Sequence, residues 1–92
     1  MTYNHIALQS QARRVSAQFL LSETEVGLTF AAIALHSADQ RRAAVTRELA
    51  RTAYQAAVRY RGRVSLTDEE ASEIGSRLSR LEDRLRQLGE SL

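Results

Sequence analysis

A chain of 92 residues with no Cys, no Pro, four Gly and a net charge of +2 has room for one domain and one core. It excludes disulfides and thiolate metal sites, and thirteen basic residues, all Arg, set against eleven acids exclude a uniformly charged surface. Ala, Leu, Arg, Glu and Gln dominate, nothing breaks a helix, and no run alternates β-branched with polar residues, so the chain reads as all-α.

The first element is expected over about residues 5–36. Apolar or small residues recur at Leu8, Ala12, Val15, Phe19, Ser22, Val26, Phe30 and Ile33 in steps of three and four, the spacing of one helix face. "SETE" at 22–25 has the form of a capping box and competes with continuity, but the stripe keeps its phase across Ser22, which favours one long helix. Residues 1–22 hold Arg13 and Arg14 and no acid, a weak presequence-like pattern that the packing spacing reassigns to an ordinary helix. No secretory signal is present, and the longest apolar run is about half of what spanning a bilayer requires, so the protein is read as cytoplasmic. Within that run "GLTFAAIAL", residues 27–35, has no charge and interleaves bulky residues with Gly and Ala. A segment apolar nearly all round is expected at the centre, gripped by both later helices.

"HSADQRR" at 36–42 supplies a turn, with Ser37 and Asp39 both able to cap a second helix over about 39–61. Its apolar face is expected to hold Val45, Leu49, Ala50, Ala53, Tyr54, Ala56, Ala57 and Tyr60, with Arg41, Arg47, Arg51 and Arg59 on roughly the opposite arc. Gly62 should end it in the left-handed conformation. "SLTDEEA" at 65–71 opens a third helix, about 68–89, with Thr67 as N-cap and Glu70 completing the box. Ala71, Ile74, Leu78, Leu81, Leu85, Leu88 and Leu92 then follow at three- and four-residue steps. Three helices with short connections predict an up-down-up bundle, its first helix overhanging its partners.

Gly27 followed by Phe30, then Ala50, Tyr54 and Ala57 in "ARTAYQAAVRY", resembles the small-and-large pattern of a tetratricopeptide repeat. The resemblance covers about a third of the chain and implies an interlocked helical hairpin, with the last helix as a capping helix. Glu23 stands where the family has Trp and Gly62 where it has Pro, and about eleven residues are inserted between the halves. The combination of an "FL…GLTFA" first helix with an "A..AY" second one is also similar to small uncharacterised helical proteins of bacteria, and the whole resembles the three-helix microtubule-interacting-and-transport domain, itself similar to this repeat.

Function is weighed from the same residues. The leucine series can be written as a heptad with Arg77 and Glu82 at g and e, so a two-chain coiled coil competes with packing inside the chain, which Gly75 and Gly89 at e positions favour. The Arg41, Arg47, Arg51 and Arg59 face is an alternative nucleic-acid surface, although acids elsewhere nearly cancel its charge and no nucleic-acid motif accompanies it. His5 and His36 are far apart and no nucleophile elbow or phosphate loop is present, so no enzyme activity, metal or cofactor is expected. The preferred expectation is a non-enzymatic protein-interaction module that binds a partner helix, a second copy included, through Ile6, Leu8, Val15 and Phe19.

Overall fold

The computed structural model describes the backbone from Thr2 onward and the side chains from Gln11 onward. Among the described residues there are three helices and no strand: α1 Thr2–His36, α2 Gln40–Arg61 and α3 Asp68–Gln87. Arg13 meets Glu70, Gly27 lies against Leu81 and Ala53, and Phe19 meets Tyr60, so α3 runs parallel to α1 and α2 runs antiparallel to it. This is the up-down-up bundle the loop lengths predict. The molecule is a rod of 57 × 20 × 16 Å, and its long axis is close to the ~52 Å that the thirty-five residues of α1 span.

α1 is continuous through "SETE". Thr24 donates its hydroxyl to the Leu21 carbonyl at 2.9 Å and Thr29 donates to Glu25 O at 3.0 Å, both back-bonds inside an unbroken helix. Ser22 is exposed and Glu25 reaches toward Arg77 at 3.8 Å, so neither half of the box forms. At the next turn Asp39 is the N-cap, accepting from the backbone N–H groups of Arg41 and Arg42, while Ser37 donates to the Asp39 carbonyl. Thr67 and Glu70 form the full capping box at α3, and Glu70 Oε1 also accepts from Arg13 at 2.7 Å, which fastens the start of α3 to α1.

Two helix ends differ from expectation. Gly62 has φ −71° and ψ −9°, an ordinary right-handed conformation, because the chain leaves α2 by a turn in which Arg63 N–H donates to Tyr60 O. The left-handed glycine is Gly89, φ +93°, and α3 stops at Gln87 rather than 89. Glu90 N–H reaches Leu85 O and Gly89 N–H reaches Arg86 O, the paired bonds of a Schellman ending.

The core is divided unequally between the helices. α3 supplies bulk through Ile74, Leu78, Leu81 and Leu85, all buried. α2 supplies Thr46, Ala50, Ala53 and Ala57, and α1 supplies Ala17, Leu20, Thr24, Gly27, Ala31 and Ala34. Gly27 shows why small residues are required there: a Cβ at that position would lie 2.6 Å from Leu81 Cδ2 and 3.3 Å from Ala53 Cβ. The segment 27–35 is therefore gripped from both sides, with Leu28 and Phe30 half-buried against the cluster of Ala31, Ala50, Leu81 and Leu85.

The buried line of α1 is not the line expected. Val15, Phe19 and Val26 are exposed, Ala12 and Ser22 with them, and Phe30 and Ile33 are half-covered. Val45 and Leu49 of α2, placed in the core by the sequence, are exposed as well. Small residues at 17, 24, 27, 31 and 34 let α2 and α3 come close on one side, and the larger stripe turns outward. Within Gln11–His36 the mean hydropathy reaches 1.2, enough by length and composition to cross a membrane, so the apolar character extends further than the run of 27–35 suggests.

Candidate interaction face

Five large hydrophobic side chains stand exposed on one side of the α1–α2 hairpin: Val15 (63% exposed), Phe19 and Val26 from α1, and Val45 (54%) and Leu49 from α2. At 100° per residue Val45, Leu49, Ala56 and Tyr60 share one edge of α2, and Tyr60 is the residue that meets Phe19, with ring centroids 4.9 Å apart at 73°. That contact places the α2 edge beside the α1 stripe. Shallow depressions follow the seam. One is lined by Phe19, Ala56, Arg59, Tyr60 and Arg63, a second by Ser22, Glu25, Val26, Thr29 and Phe30, and a third, at the turn, includes Ile33 and Arg42. Ser16 and Tyr60 share a hydrogen bond of 3.3 Å beneath the Phe19 end, fixing the phenol so that its ring supports Phe19.

Of the four residues expected to bind a partner, Val15 and Phe19 are on this face, while the side chains of Ile6 and Leu8 lie outside the described residues. Val26, Val45 and Leu49 were missed as surface residues. Spacing alone cannot separate two apolar lines on one helix, and the line of larger residues is the stronger pattern in the sequence; the line of smaller residues is the one that packs.

The expected Arg face divides. Arg47 donates from Nε to Glu90 Oε1 at 3.2 Å, Arg51 approaches the same carboxylate at 3.8 Å, and Arg51 also pairs with Glu48. Arg47 and Arg51 therefore fasten α2 to the end of α3, and the hydrogen bond from Arg47 holds the Glu90 carboxyl below its ordinary range. Arg41 and Arg59 stand on the outer arc of α2, exposed. The heptad leucines of α3 are likewise engaged inside the chain, with Ile74, Leu78, Leu81 and Leu85 buried and Leu88 half-buried. Ala71 and Leu92, the outermost members of the series, are exposed.

Other polar features hold the bundle together. Tyr54 donates its hydroxyl to Glu82, and burial, then that carboxylate, push the phenol above its usual pKa. Arg77 donates to the Leu21 carbonyl at 3.2 Å and to Glu73 at 2.9 Å, bridging α3 to α1. Among the described residues no three His, Asp or Glu side chains cluster as a metal site would need. Of the residues that carry the repeat resemblance, Gly27, Ala50 and Ala57 are buried and Phe30 and Tyr54 half-buried, Tyr54 with its hydroxyl on Glu82 of α3. Compared with family models, curated proteins and solved structures, the chain matches none.

Proposed function

We propose that the protein is a non-enzymatic, cytoplasmic interaction module whose outer α1–α2 face binds another helix. The observation that carries the reading is the gathering of Val15, Phe19, Val26, Val45 and Leu49 on one face of a small rod. Scattered exposed hydrophobics are ordinary, whereas a contiguous stripe along two helices resembles the open side of a bundle that lacks one member. The interlock of Gly27 with Ala53 agrees with a tetratricopeptide-like hairpin, in which α3 serves as the capping helix. A cytoplasmic setting agrees with Glu23 and Glu25, which fall in the middle of Gln11–His36, where a carboxylate inside a bilayer costs about 2.5–3.5 kcal/mol.

The test is a photo-crosslinking side chain placed at Val26 or Leu49, with Ser79 on the polar outer face of α3 as control, in the cell that makes the protein. Adducts at the first two positions and none at Ser79 are expected, and adduct mass separates a second copy from a different protein. Adducts at Ser79 alone, or equal labelling at all three, would contradict the assignment.

A further inference from the structure

The charged groups around the α1–α2 face divide by sign. Glu25 lines the depression beside Val26 and Phe30, and its carboxylate is paired with Arg77 of α3 at 3.8 Å. Glu48, on the outer side of α2, is turned to Arg51. On α1 the remaining border residues, Gln18, Ser22 and Thr29, are uncharged and exposed. On α2 the border carries Arg42, Arg59 and Arg63, all exposed and none of them in an ion pair with a described residue. Arg59 and Arg63 line the depression that contains Phe19, and Arg42 lines the one that contains Ile33, so cations sit at both ends of the apolar seam. Two carboxylates outside any ion pair with a described residue accompany them: Asp39 lines the depression that contains Arg42 but is engaged as the N-cap of α2, accepting from the Arg41 and Arg42 backbone N–H groups, and Glu23 on α1 is half-buried.

Building on the interaction reading, we propose that the occupant of this face is an acidic amphipathic helix of another protein, its apolar side on Phe19, Val26 and Leu49 and its carboxylates beside Arg42, Arg59 and Arg63. The seam from Val15 to Ile33 covers nineteen residues of α1, about 27 Å of helix from the first to the last, which sets the length of the partner segment at about five turns. A second copy meets the apolar requirement but not the charge requirement. Laid on the face, it brings the same three unpaired Arg side chains; of its four acids outside any ion pair with a described residue, Asp68 and Glu69 sit at the start of α3, away from its apolar stripe, Asp39 is engaged as the N-cap of α2, and Glu23 is half-buried, so cations remain in excess at the border. Like charges at such a border disfavour the pairing, while opposite charges speed encounter and fix register.

The probes are three synthetic amphipathic helices of about eighteen residues with one shared Leu stripe, flanked by Glu, by Gln or by Lys, and binding to the full chain is read by fluorescence anisotropy. The Glu peptide should bind about tenfold more tightly than the Gln peptide, as three partly exposed ion pairs allow, and the Lys peptide more weakly than either. The advantage should shrink in high salt. The triple substitution Arg42→Glu, Arg59→Glu, Arg63→Glu alters only exposed side chains and should invert the order to favour the Lys peptide. Equal binding of all three peptides, or an order unchanged by the triple substitution, overturns the proposal. Binding to phosphatidylglycerol vesicles in place of the peptides overturns it too. If no peptide binds but the chain dimerises through Val26 and Leu49, the acidic occupant is wrong and the interaction face stands. If no peptide binds and crosslinks at Val26 are also absent, both readings fall.

Discussion

Gly27 and Gly75 are both interior helix residues, yet their surroundings assign them opposite roles. A Cβ at Gly27 would meet Leu81 Cδ2 at 2.6 Å inside a fully buried cluster, whereas a Cβ at Gly75 would meet nothing within 4 Å. Gly27→Val should therefore destabilise the fold by about 2 kcal/mol or more through overpacking. Gly75→Ala should stabilise it by about 0.5–1 kcal/mol, because Ala loses less backbone freedom on a helix. Thermal melts of the two variants decide the point, with about 4–8 °C per kcal/mol expected for a domain of this size. A melt in which Gly27→Val is as stable as the native chain would remove the close approach that the packing of α1 depends on.

At the scale of the element, α3 is held at both ends by a carboxylate with Arg partners on another helix. Glu70 accepts from the Thr67 backbone and from Arg13, and Glu90 accepts from Arg47 with Arg51 nearby. Gly89 at φ +93° makes the second clamp, since the left-handed turn directs Glu90 back onto α2. Both carboxyls are held below the ordinary value of 4.5, Glu70 chiefly by the Thr67 N–H and Glu90 chiefly by Arg47. A lowered folded-state pKa contributes stability that is complete above the ordinary value and disappears as pH falls through the lowered one. Melting temperature should therefore drop below about pH 4.5. Glu90→Gln should melt lower than the native chain at neutral pH and lose less on acidification, while Glu70 keeps part of the acid limb. A variant with an unchanged acid limb would show that the Glu90 clamp contributes nothing.

The same element explains how much could be read in advance. The Thr67 box, the Asp39 cap, the continuity of α1 and the inward face of α3 were legible because each rests on a local spacing that one competing pattern at most can imitate. The face of α1 was not. Val15, Phe19 and Val26 give a stronger apolar stripe than Ala17, Gly27 and Ala31, but the area available for packing depends on how near the neighbouring backbones can come, which no single-helix pattern records. Gly62 was expected to take the left-handed end, and Gly89 takes one instead, where the turn brings Glu90 to Arg47, a contact 43 residues apart in sequence. The split of the Arg face has the same origin, since Arg47 and Arg51 are claimed by that distant carboxylate.

The whole molecule is a three-helix rod whose central helix has two apolar lines, one enclosed by α2 and α3 and the other left open beside the α2 edge. Burial of Leu20, Ile74, Leu81 and Leu85 holds the rod together, and the open line is where an interaction can be made without unfolding any of it. The absence of Cys from the chain permits a direct measurement: single-cysteine variants at Val15, Val26 and Leu49 on one hand and at Ala17, Ala31 and Ala50 on the other, each challenged with a thiol reagent under native conditions. Prompt labelling at Val15, Val26 and Leu49, with labelling at Ala17, Ala31 and Ala50 no faster than global unfolding, is the predicted result. Protection of the first three positions in dilute monomeric protein, with ready labelling of the second three, would contradict it.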